Sequence, residues 1–274
     1  MVDYCIERPF MQTIRIKTES IKVAKWLALY YGFYFKPYNN SDCIMIEITE
    51  LDEKIFSIKY GKENFTTDSL IKDFSDLLRR ITVCDPSVFV LHGAAIEYLG
   101  KAYIFLAPST YGKTTLASFL CEKDFGYITD DFTIISMDSL NIIPLNKPIH
   151  LRTKSLFLLN NIYYLDIKTF YLNDGHTKRH IYQPHKIINK EIPIHGFYFL
   201  KRNEKFNKII KMSDVEKPIA LLKSLMFYEN INKIAGDINI LSKFPCHILE
   251  YCDLNFIEKI IKKEGNSSIC VEQE

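Results

Sequence analysis

The 274-residue chain is 47% hydrophobic and 25% charged, with ten Gly and ten Pro, which excludes collagen-like, low-complexity and wholly disordered proteins. Thirty-five Lys and Arg against 33 Asp and Glu leave a formal charge of +2, so no strong overall field draws it to nucleic acid or anionic lipid. Seven scattered cysteines without a C-x-x-C pair argue for reduced thiols rather than disulfides or a thiolate zinc site. Asp3 and Glu7 break any signal-peptide pattern, and no apolar run reaches the roughly eighteen residues that span a bilayer, so the expectation is a soluble, cytoplasmic protein.

In chain order, residues 19–32 read as a helix and Cys43–Ile48 and Ile55–Tyr60 as strands, the latter alternating Ile, Ser, Ile and Lys on its two faces. Leu70, Ile71, Phe74, Leu77, Leu78 and Ile81 recur at intervals of three and four, which predicts a helix over 67–81 started by Thr67-Asp68 and stopped by Asp85-Pro86. Two β-type runs, Val88–Leu91 and Lys101–Leu106, flank the small residues Gly93-Ala94-Ala95. A helix from Lys113 leads to another strand ending at Asp130. Strand, loop, helix and strand in succession predict an α/β domain with parallel neighbours and a ligand site at the strands' carboxyl ends. Ile194–Leu200 reads as a buried strand, Ser213-x-x-Glu216 as a capping box before a helix through Leu221, Leu222 and Leu225, and Phe256–Ile261 as a last helix. The resulting division is a β-rich region with helices at 1–85, an α/β domain at 86–264 and a loose tail at 265–274.

Ala107-Pro-Ser-Thr-Tyr-Gly112-Lys113-Thr114 fits the phosphate-loop pattern G-x-x-x-x-G-K-[ST] except that Ala stands at its first position. Such a loop, here Ser109, Thr110, Tyr111, Gly112, Lys113, Thr114 and Thr115, cradles phosphates with backbone N–H groups and the positive end of the next helix. Lys113 brings charge to the β- and γ-phosphates of ATP, and Thr114 a hydroxyl for Mg²⁺. Asp130-Asp131 follows Lys113 by seventeen residues, at a strand's carboxyl end. One carboxylate there serves magnesium, and two can divide metal binding and proton removal between them. Successive side chains on an extended strand point to opposite faces, so both acids can serve only where the strand ends or bends at Asp130.

His92-Gly93, the loop and the Asp pair together resemble the catalytic core of HPr kinase/phosphorylase and the smaller HPr-kinase-like proteins: His92 lies 21 residues before Lys113, and the similarity is strongest over 89–131. It continues through Pro144-Leu-Asn-Lys147-Pro148-Ile-His-Leu-Arg152, similar to a Lys-Pro segment of those proteins. The first 75 or so residues look like the short lead-in of HPr-kinase-like proteins from peptide biosynthesis clusters, including lasso-peptide kinases. The chain departs from the family at Ala107 and at Thr110-Tyr111, where small residues are common. The resemblance implies a phosphate-loop core sheet like that of PEP carboxykinase and HPr kinase, with C-terminal helices. It also implies that Asp130 is the general base toward a serine hydroxyl, Asp131 lies near the magnesium and His92 is hydrogen-bonded beside the pair. The signature of the reverse phosphorylase reaction is not recognisable after residue 150.

Arg152, Lys178 and Arg179 are candidates for contacts to the transferring phosphate or to the acceptor; the last two fall in a stretch, 173–186, that reads as a mobile basic loop. His176 and His180 have a metal-like spacing, which the intervening Lys178 and Arg179 oppose. Cys246 and Cys252 fit strand residues better than nucleophiles. The expected protein is an ATP- and Mg²⁺-dependent serine kinase acting on a peptide or small protein, such as a ribosomal precursor peptide at its C-terminal Ser. Neither nucleic acid nor membrane is an expected partner, and self-association stays open. The alternatives are a nucleotide-binding regulator or inactive kinase relative, and a kinase of the carrier protein HPr.

Overall fold

The computed structural model describes residues 2–6, 13–31, 35–37, 43–145, 147–160, 167–171, 178–226 and 231–269, which form a mixed α/β structure. Strands β1 (Val2–Ile6), β2 (Thr13–Thr18), β3 (Phe35–Pro37), β4 (Cys43–Asp52), β5 (Ile55–Tyr60) and β6 (Glu63–Thr67) make a six-stranded sheet in the order β3-β1-β2-β4-β5-β6. Helices α1 (Ile21–Tyr31) and α2 (Leu70–Val83) belong to the same region. Period-two alternation puts Ile14, Ile16, Ile46, Ile48, Phe56 and Ile58 on one face, where they share a core with Val23, Leu27, Leu70, Phe74 and Leu77 of the helices. The Ser20 hydroxyl accepts the Val23 N–H at 3.2 Å, capping α1. Helix α2 starts at Leu70 rather than Thr67 because Thr67 ends β6, where its hydroxyl accepts the Ser69 N–H at 2.8 Å.

Beyond Asp85-Pro86 come β7 (Val88–Leu91), β8 (Gly93–Tyr98), β9 (Lys101–Leu106), α3 (Lys113–Cys121), β10 (Gly126–Thr129), β11 (Thr133–Ser136) and β12 (Asn141–Ile143). A three-stranded antiparallel sheet, β13-β15-β14, is built from β13 (Ile149–Leu151), β14 (Ile167–Tyr171) and β15 (Lys178–Tyr182), with α4 (Thr153–Asn160) after β13. The chain continues through β16 (Ile192–Arg202), β17 (Lys208–Lys211), α5 (Glu216–Lys223), α6 (Ile231–Leu241), β18 (Cys246–Tyr251) and α7 (Leu254–Ile269). The main sheet runs β10-β8-β9-β16-β12-β11-β7, with β18 also on β16 and β17 on β18.

Strand β9 is buried on both faces, as expected of a central strand. Tyr103 and Phe105 share one core with Leu116, Phe119 and Leu120 of α3 and Ile257 and Ile261 of α7. Ile104 and Leu106 share another with Leu221 of α5 and Ile238 and Leu241 of α6. The capping box forms: Ser213 N–H donates to Glu216 Oε2 at 2.9 Å, and Glu216 N–H to Ser213 Oγ at 3.4 Å.

Four expectations are corrected. Strands β9 and β10 are not neighbours in a parallel sheet, because β8 lies between them and is antiparallel to both. Leu99 and Gly100, both at positive φ, close a tight β8–β9 hairpin, and Gly93 is small because an added Cβ would lie 2.8 Å from Leu106 Cδ2. With β8 antiparallel to each, β9 and β10 still end at the same edge. Lys178 and Arg179 lie on β15 rather than in a loop, paired with Tyr171 and Phe170 of β14; residues 173–177, His176 among them, are outside the described residues. The tail does not begin at 265, since α7 continues to Ile269 and Gly265 lets it approach Tyr98, whose Cδ1 an added Cβ would meet at 2.7 Å. Residues 270–274 are outside the described residues. Finally, the hairpin residues Gly93-Ala94-Ala95 are themselves strand. No helix among the described residues is long and apolar enough to cross a membrane.

Candidate active site

Strand β9 delivers the chain to Ala107, and the loop 107–112 returns it into α3. Gly112, at φ +94°, makes that turn, and any Cβ there would lie 2.9 Å from the Tyr251 hydroxyl. Tyr251, at the end of β18, donates that hydroxyl's proton to the Tyr111 carbonyl at 3.2 Å and so holds the loop from behind. Lys113 is 4% exposed, and its ammonium donates to the carbonyls of Ala107 at 2.8 Å and Pro108 at 3.2 Å. Burial lowers its pKa, and the nearby charges of Asp131 and Asp130 oppose that shift. Thr115 is tied to Ser155 of α4, hydroxyl to hydroxyl at 2.9 Å, while Thr114 Oγ1 donates to Asp130 Oδ1 at 3.2 Å.

The acidic pair owes its position to two facing bends. The β7–β8 strand breaks at His92, whose N–H donates to the Ser224 carbonyl at 2.8 Å, and the β10–β11 strand breaks over Asp130–Phe132. Because β7 pairs with β11 and β8 with β10, the two breaks lie side by side. Asp131 adopts φ +67°, and the Thr129 hydroxyl donates to the Phe132 carbonyl at 2.8 Å across the turn. The strand therefore ends before the acids, the condition under which both can serve one site. Asp130 is buried at 1% exposure against Thr114, whereas the Asp131 side chain is 41% exposed, with Oδ1 3.7 Å from His92 Nε2 and Oδ2 3.9 Å from Lys147 Nζ.

These surroundings push the two carboxyls apart. Burial, then the charge of Asp131, raises Asp130 well above the ordinary carboxylate value, only partly offset by Lys147, Thr114 and Lys113. Burial alone would raise Asp131 too, but His92 beside it and the ammonium groups of Lys147 and Lys113 bring it below the usual range. Asp130 thus binds a proton more readily than its neighbour Asp131, which stays ionised.

A cavity of about 680 Å³ opens over the loop. Of the residues expected from sequence, Ser109, Thr110, Gly112, Lys113, Thr114 and Thr115 line it, as do His92, Asp131, Arg152 and Arg179. Asp130 lies behind Thr114, and Tyr111 and Lys178 are exposed outside the lining, Tyr111 being held from behind through its carbonyl. Sequence reasoning passed over Arg202, Lys154 and Tyr30, which also line the cavity, and gave no site role to His150 in the lining or to Lys147 beside Asp131, both read only within the Lys-Pro segment. Arg202 had a legible signal, the carboxyl end of a buried strand; it lies on β16, which runs parallel to β9. Tyr30 comes from α1, a long-range placement that no local pattern encodes. His150, 4.0 Å from the Tyr30 ring, is lowered to about 3 by burial and the charge of Lys147, so it lines the wall as a neutral imidazole.

With Lys113, Arg152, Arg179, Arg202 and Lys154 against Asp131, the lining is strongly cationic and suited to a polyanion. Among the described residues no cluster of three or more His, Cys, Asp or Glu could hold a metal alone. The Thr114 hydroxyl and the two carboxylates are hard oxygen donors, a set that fits Mg²⁺, which commonly uses one or two carboxylates together with phosphate oxygens. His180 is buried with Nε2 3.1 Å from the Thr153 hydroxyl, and burial raises the Cys246 thiol to about 11, so neither residue offers a second reactive centre.

No protein-family model matches the chain, and no curated protein matches it. Among solved structures, the HPr(Ser) kinase/phosphatase from Coxiella burnetii is a neighbour at 10% identity and a TM-score of 0.34, over 67% of this chain and 98% of that one. With an overlap that loose, what the chain does has to come from its own cavity.

Proposed function

We propose that the chain is an ATP- and Mg²⁺-dependent kinase that transfers the γ-phosphoryl group to a serine hydroxyl of a peptide or small protein. The observation that carries this reading is the link from Thr114 Oγ1 to Asp130 Oδ1, which joins a lysine-bearing loop to a pair of carboxylates of opposed proton affinity at one cationic cavity. A pair of titratable groups pushed apart in this way is the signature of divided acid–base and electrostatic roles. The 107–112 amides and Lys113 hold the triphosphate, and Arg152 and Arg179 face it from β13–α4 and β15. Mg²⁺, held by Thr114 and a carboxylate, would neutralise charge on the β- and γ-phosphates. Asp130, with the greater proton affinity, takes the acceptor's proton, while Asp131 remains anionic under the control of His92 and Lys147. Phe157, 71% exposed at the cavity, suits a polypeptide acceptor. The sequence resemblance narrows that acceptor to a ribosomal precursor peptide of the lasso type.

The test is mass spectrometry of candidate precursor peptides and of HPr after incubation with ATP and Mg²⁺, using wild type and Asp130→Asn. Phosphoserine formed by wild type and lost in the variant, with nucleotide binding retained, is the expected result. A wild type that binds ATP yet shows no acceptor-dependent turnover would leave a nucleotide-binding regulator as the better reading.

A further inference from the structure

Beside the large cavity lies a second of about 180 Å³, and the two share Gly112, Thr115, Leu158 and Arg202, so they are compartments of one cleft. Their linings differ in chemistry. The large compartment is cationic, whereas Phe119, Leu158 and Leu254 give the small one an apolar surface. The small compartment is also firmly built. Phe119 of α3 is 1% exposed, anchored in the core, and Tyr251 is fixed through the Tyr111 carbonyl. Asn207 Oδ1 accepts the Cys252 N–H at 2.9 Å, holding the segment that leads into α7. At the rim, Asp253 Oδ1 accepts the backbone N–H of Asn255 at 3.0 Å and one Nδ2 hydrogen at 2.8 Å, which orients the amide nitrogen toward Asp253 and leaves its carbonyl oxygen to accept.

An apolar slot with a few fixed polar groups is what a flat heterocycle requires. We propose that this compartment is the nucleoside subsite of the ligand whose phosphates lie on the Gly112 loop. The base rests against Leu158 and Leu254 over the buried Phe119, Asn255 accepts from an exocyclic amine such as that of adenine, and Arg202 serves the junction between base and phosphates. Arg202 suits that position because a guanidinium can lie over a π-face and pair with phosphate. The assignment rests on the kinase reading, since it takes the same ligand and specifies its other end.

The experiment is calorimetric titration of the full chain, with Mg²⁺ present, by ATP, by inosine triphosphate, whose base carries a carbonyl in place of the amine, and by inorganic tripolyphosphate. The expected order of affinity is ATP, then inosine triphosphate, then tripolyphosphate, with about tenfold between the first two, the scale of one hydrogen bond. Asn255→Ala should erase the preference for ATP over inosine triphosphate, and Leu158→Ala should weaken both nucleotides while leaving tripolyphosphate unchanged. Wild type that binds all three equally, or variants that weaken tripolyphosphate as much as ATP, would overturn the subsite but leave the phosphate site standing. Failure of wild type to bind any of them would overturn the kinase reading and the subsite together.

Discussion

Asp130→Asn should cost the protein its phosphotransfer and make it more stable. Asp130 is 1% exposed, and burial with the neighbouring charge of Asp131 raises its carboxyl above the unfolded value. A carboxyl raised on folding binds more protons in the native than in the unfolded state at intermediate pH. Stability therefore falls as pH climbs from the unfolded value of about 4 through the raised native one, and stays reduced above it. Each unit of that rise amounts to about 1.4 kcal/mol. Asparagine has nearly the same shape, carries no charge at any pH, and retains an oxygen to accept from Thr114 Oγ1, now 3.2 Å from Asp130. For a chain of this size 1 kcal/mol corresponds to about 2–4 °C in Tm, so the variant should gain at least that much at pH 8 and nothing at pH 4. Differential scanning calorimetry across that range, set beside turnover at each pH, reads both effects. A variant less stable than wild type at pH 8, or one gaining equally at pH 4, would refute the reasoning that this acid is held at an electrostatic cost for chemistry.

Gly112→Ala must place a side chain at φ +94° and 2.9 Å from the Tyr251 hydroxyl; left-handed strain of about 1–2 kcal/mol predicts roughly tenfold weaker Mg-ATP binding by calorimetry, and an unchanged Kd would count against the loop geometry. Lys147→Ala removes a charge 3.9 Å from Asp131 that lowers both carboxyls, so the acid limb of the kcat profile, set by the base Asp130, should move to higher pH; a profile that stays in place would show that Lys147 does not act on the acidic pair. Arg152→Ala and Arg179→Ala should lower kcat, whereas Lys178→Ala, outside the cavity, should leave it within twofold, as steady-state kinetics can check. Tyr127→Phe deletes a hydrogen bond to the Lys147 carbonyl in the core and should cost about 1–3 kcal/mol by urea unfolding; no loss would place that carbonyl in contact with water.

Signals that act over one turn or one strand were legible in the sequence. The apolar stripe of α2, the capping box at Ser213 and the flanks of the 107–114 loop each depend on residues within a few positions of one another. Strand β8 was obscured because its first residues are small for close packing, so they carry no apolar alternation to read. Once β8 is inserted between β9 and β10, the sheet becomes mixed, yet the shared edge survives because two antiparallel steps restore direction. The same limit applies to the site. Lys113, Thr114 and the acids were readable from a motif and an interval. Tyr30 reaches the cavity across the interface with the first sheet, and Lys147 is held by Tyr127 through its backbone carbonyl, contacts between residues far apart in the chain.

The most direct test of the account is calorimetric titration of the wild-type protein and of Lys113→Met with Mg-ATP. The account predicts one ATP bound per chain by wild type and binding at least a hundredfold weaker in the variant, whose buried ammonium is the loop's own charge for the phosphates. No uptake of heat by wild type, or equal binding by both proteins, would contradict it.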